Sequence, residues 1–419
     1  MSGAFSFNEL IKLIILDQAY IKYMRLWATF IWATLHQIEK LNPIANAENQ
    51  KRPGTPINKR GTYIVTLFFV DLDMIRYSHV LFFSLSLIYA QPQLQTFTIN
   101  NETRQYYLYT PDLLGPGVPL IFVLHGYSGS AASIMNYSNM NLIADENGFV
   151  VCYPQGLIDD TGNAFWNVGY SFHPNETVDD VEFLTELAHF LQVEYGLSSY
   201  NTFSTGMSNG GEMSYMLACQ ASDVFRGVAS VSGIMFESFY NTCNPSPTPV
   251  LEVHGTLDDV NWWNGDPNNQ GGWGAYIGIE EGIDYWININ NCTQTIIDTL
   301  PDIFPSDGSF VVTEKHINGI NNNEVWLYKV VNGGHDWPGV WGNMDINAGE
   351  EVWNFFSQYL VIADIGDINF DGSINIIDML MISDNILNNE SYNYLSDFNQ
   401  DQNVNSLDIV SVAQYILGL

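Results

Sequence analysis

The sequence predicts an α/β fold: a mainly parallel sheet with helices on both faces, followed by a small all-α module at the carboxyl end. Three observations lead there. From residue 119 to about 360, short continuous apolar runs alternate with longer segments of helical periodicity. Strands that are apolar on both faces belong to parallel sheets covered on both sides. The turn Gly206-Met207-Ser208-Asn209-Gly210 stands where a strand-like run passes into a helix. Finally, residues 364–419 hold two copies of one acidic pattern, offset by 30 residues.

Taken in order, residues 93–109 alternate and carry Tyr and Thr, which predicts an antiparallel strand at the sheet edge. Residues 119–124 read as a buried strand, 131–147 as a helix and 149–153 as a second strand. A helix over 179–195 places Val181, Leu184, Leu187, Ala188 and Leu191 on one face. Residues 201–204 and 212–220 form the strand and helix around the serine turn. Strands at 227–231 and 249–254, a helix near 280–289, a strand at 324–330 and a helix at 348–360 complete the set.

Length and composition bound the function. A chain of 419 residues suggests two or more domains, and 46% hydrophobic residues suffice for a sizeable core. The formal net charge is -33. Of the 13 Lys and Arg, only Arg104, Arg226, Lys315 and Lys329 lie beyond Arg76. Nucleic acid is excluded as a partner, because a duplex demands a basic surface, and a polyanionic substrate would be repelled. Solubility or a salty habitat explains most of the acid.

The amino-terminal region reads in two parts. A short polar segment from Met74 to His79 carries one arginine, a nine-residue apolar run follows over 80–88, and Tyr89-Ala90 precedes Gln91-Pro92. That is the pattern of a secretory signal peptide over 74–90, with cleavage after Ala90. Because such a signal works at a chain start, residues 1–73 are expected to be an upstream extension. The apolar stretch over 10–35 is interrupted by Asp17, Lys22 and Arg25, and falls short of the roughly 20 apolar residues of a membrane span. No later segment could span, so the mature chain is expected to be secreted. All four cysteines, Cys152, Cys219, Cys243 and Cys292, lie in the secreted portion, where disulfides form. Cys219–Cys243 is the preferred pair, one following the nucleophile helix and the other the next strand.

A serine hydroxyl needs a base to become a nucleophile, and the base needs an acid to orient it. In open α/β sheets the working residues lie at the carboxyl ends of strands. The strand over 249–254 runs into Asp258 and Asp259, and that over 324–330 into Asn332-Gly333-Gly334-His335. The order Ser208, Asp258, His335 is that of the α/β-hydrolases. Ser208 is expected to attack a carbonyl carbon, His335 to shuttle the proton, and Asp258, with Asp259 in reserve, to hold the imidazole. The oxyanion is expected to meet the backbone N–H groups of Asn209 and Tyr127. His125 reads as a brace for its loop.

Seven blocks in order carry a family resemblance. They are Leu124-His125-Gly126, Tyr153-Pro154-Gln155-Gly156, Trp166-Asn167, Asp179-Asp180-Val181 with Phe183-Leu184, the stretch from Gly206 to Gly211, His254-Gly255-Thr256 with Asp258, and Gly334-His335 with Trp337-Pro338. Across about residues 95–360 the chain resembles the secreted polyhydroxybutyrate-depolymerase-type esterases, which include feruloyl and acetyl xylan esterases. The resemblance implies the same triad. Phe165 stands where the family often has a cysteine, and the stretch after Asp259 lacks the usual proline. Trp262 and Trp263 there could line an acyl or sugar site or simply pack; aromatic faces suit either ligand.

The duplicated tail supplies oxygen ligands at loop positions 1, 3, 5, 7 and 12: Asp367, Asn369, Asp371, Ser373 and Asp378, then Asp397, Asn399, Asp401, Asn403 and Asp408. Asn375 and Asn405 occupy position 9. Hard oxygen ligands in this spacing suit Ca2+. Asp at position 12, with a helix only after each loop, resembles dockerin type I modules. That family implies a calcium-dependent fold docking onto a cohesin-bearing scaffold. Gln402 replaces Gly372 in the second copy. The expected organisation is an esterase domain over 91–362 and the dockerin-like module over 363–419. The expected function is hydrolysis of feruloyl or acetyl esters on plant cell-wall polysaccharide. The alternatives are an extracellular polyhydroxyalkanoate depolymerase and a non-catalytic binding protein on a hydrolase fold.

Overall fold

The computed structural model describes residues 92–111, 117–361, 364–368, 373–388, 393, 395–401 and 403–419. The chain divides into Met1–Tyr89 and Ala90–Leu419. The expectations for 1–73, for the signal segment and for the apolar stretch over 10–35 therefore lie outside the described residues, as do Asn369, Asp371, Gly372 and Gln402. Among the described residues no helix is long and apolar enough to cross a membrane.

The strands are β1 (Leu94–Ile99), β2 (Glu102–Tyr109), β3 (Leu120–Leu124), β4 (Val150–Pro154), β5 (Leu157–Ile158), β6 (Ala164–Phe165), β7 (Thr202–Met207), β8 (Gly227–Val231), β9 (Val250–Gly255), β10 (Gln294–Thr299), β11 (Phe310–Ile317) and β12 (Val325–Val331). The helices are α1 (Ala131–Ser138), α2 (Met140–Asn147), α3 (Asp180–Tyr195), α4 (Asn209–Gln220), α5 (Glu237–Tyr240), α6 (Ile279–Asn290), α7 (Ala348–Phe356), α8 (Ile376–Asn388) and α9 (Ser406–Leu417).

Among the described residues, ten strands form one sheet in the order β1-β2-β4-β3-β7-β8-β9-β12-β11-β10. The six central strands run parallel, and an antiparallel hairpin closes each edge. Alternation along the central strands supplies both faces. Leu120, Phe122 and Leu124 of β3 enter one core with α3, α4 and α6, while Ile121 and Val123 enter the other with α1, α2 and α7. This is the α/β-hydrolase architecture, with the small α8–α9 module beyond it carrying its own core of Ile368, Ile382, Leu395 and Val412.

Two elements differ from the sequence expectation for local reasons. Residues 93–109 are a hairpin instead of one strand. Asn100 and Asn101 both take positive φ, 51° and 65°, which a tight two-residue turn demands and which Asn tolerates. The helix expected over 131–147 is broken at Asn139 (φ 55°), which ends α1 and begins α2. The β10–β11 hairpin and the β5–β6 ribbon were not anticipated. All six residues of β10 are exposed, so no apolar alternation marks it.

Candidate active site

The nucleophile candidate sits on a strained turn. Ser208 has φ 56° and ψ −120° between β7 and α4, a conformation costing about 1–3 kcal/mol that persists only where its surroundings over-determine it. Close packing does that here. A Cβ on Gly210 would lie 2.2 Å from the Leu124 carbonyl oxygen, and one on Gly206 would lie 2.5 Å from the Gly210 carbonyl carbon. The Ser208 N–H donates to the Val231 carbonyl (2.8 Å), tying the turn to the end of β8. Gly126, in the loop after β3, abuts the turn: a Cβ there would lie 3.4 Å from Ser208 Cβ.

Two further loops meet at the same edge of the sheet. Asp258 follows β9 and His335 follows β12, and His335 Nδ1 lies 2.7 Å from Asp258 Oδ2. The other carboxylate oxygen, Oδ1, accepts from the N–H groups of Val260 (2.9 Å) and Asn261 (2.8 Å). Burial pushes the Asp258 carboxyl up, but the hydrogen bond and charge of His335, the charge of His254 and the Asn261 N–H outweigh it, and the net direction is down. Asp258 is therefore an anion that fixes the imidazole. Asp259 is exposed, and its carbonyl accepts from Trp262 Nε1 (3.2 Å). No hydrogen bond joins Ser208 to His335 among the described residues; in free enzymes such contacts often tighten only on the substrate.

Asn209 begins α4, so its N–H belongs to the first turn, which the helix itself leaves unsatisfied. Its side chain brackets Trp166, accepting from the Trp166 N–H (2.7 Å) and donating to its carbonyl (3.0 Å). Trp166 Nε1 in turn donates to the His125 carbonyl (2.9 Å), so one residue braces both loops at the turn. Tyr127 anchors its loop from the other side. Its hydroxyl donates to Asp159 Oδ2 (2.7 Å), which also lies 2.9 Å from His173 Nε2. Burial would push the Asp159 carboxyl up, but donors from Asn163, Tyr127, Thr161 and His173 hold it well below the usual range.

His125 is the brace expected of it. Its Nε2 accepts from the Gly156 N–H (2.9 Å) while Nδ1 faces the Gly126 carbonyl (2.8 Å), which defines a neutral ring with the proton on Nδ1. Burial lowers it to about 4. Trp262 and Trp263 part company. Trp262 is half-buried, donating its N–H to the Tyr276 hydroxyl (3.0 Å). Trp263 packs against the core, 6.1 Å from the His254 ring and under Lys329 Nζ at 4.6 Å. An aromatic group the sequence reading missed, Tyr170, Phe172 and Trp273, surrounds Tyr127 with ring centroids 5.7 Å away in each case. It comes from two loops without periodicity, so nothing in the residue pattern signalled it. Buried Glu212, also missed, accepts from Tyr170 (2.7 Å) and Asn261 (3.2 Å); burial raises it to about 7. Cys219 and Cys243 are disulfide-bonded; Cys152 and Cys292 are free.

In the carboxyl-terminal module, Asp367, Asp378, Asp397 and Asp408 are buried. Residues 363–419 contain no Lys, Arg or His, so the module offers these carboxylates no cationic side chain. A hard cation fits this set of oxygen donors. The two loops share a register: Asn375 N–H donates to Asp378 Oδ2 and Asn405 N–H to Asp408 Oδ2, both at 2.8 Å. Ser373 and Asn403 stand at equivalent points, and Asn399 and Asp401 are exposed. Among the described residues no three His, Cys, Asp or Glu converge as a metal cluster.

Comparison with known proteins matches residues 105–260 to the family described as Esterase PHB depolymerase and residues 365–417 to the dockerin type I domain. A bifunctional acetylxylan esterase/xylanase of Neocallimastix patriciarum is 28% identical over 157 residues, 38% of this chain and 22% of that protein. Feruloyl esterase B of Piromyces equi is 29% identical over 181 residues, 42% of this chain and 33% of that one. Feruloyl esterase C of Emericella nidulans is 26% identical over 280 residues, 64% of this chain and 88% of that one. The chain thus spans a third or less of the first two relatives. Among solved structures, an acetyl xylan esterase from Aspergillus awamori aligns with 64% of this chain and 100% of its own at TM-score 0.45 and 15% identity.

Proposed function

We propose that this chain, which carries an esterase domain of the PHB-depolymerase type followed by a dockerin type I domain, is a secreted serine carboxylic-ester hydrolase. Its substrates are feruloyl or acetyl esters on plant cell-wall polysaccharide. The observation that carries the chemistry is the 2.7 Å pair of His335 and Asp258, set at the same sheet edge as the strained Ser208 turn. Ser208 Oγ attacks the ester carbon while His335 takes its proton. The oxyanion is met by the N–H groups of Asn209 and Tyr127, His335 passes the proton to the departing alcohol, and water then repeats the sequence on the acyl-enzyme. Asp258 holds the proton of His335 on Nδ1 and steadies the imidazolium.

The dockerin module is proposed to bind two Ca2+ ions, through Asp367, Asn369, Asp371, Ser373 and Asp378 and through Asp397, Asn399, Asp401, Asn403 and Asp408. Calcium supplies the counter-charge that the module's own side chains lack. Exposed Ile377 and Leu380, matched 30 residues later by Leu407 and Val410, offer the apolar faces for a cohesin partner.

A second reading has a specific support: the chain is 24% identical over 284 residues to poly(3-hydroxyalkanoate) depolymerase C of Paucimonas lemoignei, covering 62% of this chain and 64% of that one. One panel separates the two: methyl ferulate, acetylated xylan, short p-nitrophenyl esters and polyhydroxybutyrate. Release of ferulate or acetate without release of hydroxybutyrate supports the first reading, and the reverse supports the second. A protein that turns over none of them contradicts both.

A further inference from the structure

A second histidine stands directly behind the proposed acid. His254 is the penultimate residue of β9 and is fully enclosed; both of its ring nitrogens are engaged. Nε2 lies 2.8 Å from the Asn261 carbonyl oxygen and 3.5 Å from Asp258 Oδ2. Nδ1 lies 2.8 Å from Glu252 Oε1, and the other Glu252 oxygen accepts from the Tyr215 hydroxyl at 2.8 Å. A carbonyl oxygen has no proton to give, so Nε2 must carry one. The remaining proton lies on Nδ1 or on Glu252. On Glu252 it would leave an uncharged ring beside Asp258. On Nδ1 it sets a cation 3.5 Å from the Asp258 carboxylate and 2.8 Å from that of Glu252, in surroundings where charges act strongly. The contrast with His125 is instructive: there one ring nitrogen accepts an N–H, and the ring is neutral.

We propose that His254 is a buried imidazolium and a positioning residue for the triad: clamped by Glu252 and the Asn261 carbonyl, it supplies Asp258 with a fixed counter-charge. Burial opposes the imidazolium and raises the Glu252 carboxyl too, but at His254 the hydrogen bond and charge of Glu252, then Asp258 and the Asn261 carbonyl, outweigh it, so the net direction there is up. The other charged and titratable groups nearby do not replace it. Lys329, its register partner on β12, turns to Glu280 at 3.2 Å. Asp336, from the loop after β12, lines a small cavity with it, and His335 meets Asp258 Oδ2 at 2.7 Å. Glu212 is joined to it through Asn261, whose amide donates to Glu212 and to the Ser232 carbonyl. The consequence is directional. A cation beside Asp258 lessens the pull of that carboxylate on the His335 imidazole.

This inference rests on the proposed triad for its catalytic consequence, but its charge state can be read without turnover. Nitrogen-15 NMR of histidine-labelled protein at pH 8 should show one ring, absent in His254→Gln, with both nitrogens protonated. In Glu252→Gln that ring should lose one proton at the same pH. In folded His254→Gln the acid limb of the kcat/KM profile for p-nitrophenyl acetate should move up by about one pH unit, with KM little changed. A ring with one unprotonated nitrogen at pH 8 in the wild type overturns the proposal, and so does an unshifted acid limb in folded His254→Gln. Should that variant fail to fold, the wild-type and Glu252→Gln spectra decide alone, the signal being assigned by its response to Glu252→Gln. Inactivity of the wild type on every ester would sink the esterase reading and leave the charge measurement standing.

Discussion

Gly210→Ala tests how the turn is built. The added Cβ would lie 2.2 Å from the Leu124 carbonyl oxygen, 2.6 Å from its carbon and 2.9 Å from the His125 carbonyl oxygen. All three are backbone atoms, so no side chain can swing away. Ordinary contact begins near 3.4 Å, so α4 and the loop after β3 must separate by about 1 Å. Those two segments carry the proposed donors, Asn209 and Tyr127. A donor displaced by about 1 Å is close to lost, and one lost donor costs about a hundredfold or more in kcat. Overpacking adds about 1–3 kcal/mol of destabilisation. Gly148→Ala is the control: its φ is +76° but nothing lies within 4 Å, so it should cost about 1 kcal/mol from the left-handed backbone alone and leave kcat unchanged. Thermal melts and p-nitrophenyl acetate kinetics read both. Gly210→Ala retaining more than half the wild-type kcat, with an unchanged Tm, would contradict this packing of the turn.

Other outcomes follow from the same geometry. Asp258→Asn should lower kcat by about 10³ to 10⁴, whereas Asp259→Asn, whose carboxylate is exposed, should stay within about twofold; steady-state kinetics would show equal losses if the assignment of the acid were wrong. Asp159→Asn should lower the Tm at pH 7. The native Asp159 carboxyl is held below its unfolded value, so its contribution is present above about pH 4 and fades as pH falls toward the native value. The Tm gap between wild type and variant should therefore narrow on acidification, and a gap that widens would contradict the network around Asp159. Chelation should lower the melting temperature of residues 364–419 and abolish cohesin binding; calorimetry detecting no calcium uptake by the chain would remove the calcium loops.

Much of the α/β layout was legible because buried parallel strands write themselves as continuous apolar runs, as at Leu120–Leu124 and Val150–Pro154. The candidate triad was legible because each member terminates or follows such a strand. What escaped has a common cause. Exposed β10 has no apolar alternation, and the break at Asn139 depends on one residue accepting a left-handed conformation inside an otherwise helical pattern. The aromatic group around Tyr127, the Asn209 bracket on Trp166 and the Glu252–His254 pair join residues distant in sequence or, in the last case, a motif residue with no outward sign of charge. Only the fold brings the first two sets of partners together.

The proposed ester hydrolysis by this chain requires Ser208 as the nucleophile. The most direct measurement is intact-mass and peptide-mass analysis after treatment with a fluorophosphonate, run beside Ser208→Ala. One adduct per chain is expected, on the peptide containing Ser208, with ester hydrolysis lost in step with labelling and no adduct on the folded variant. Full labelling at another residue, or undiminished ester hydrolysis by Ser208→Ala, would contradict it.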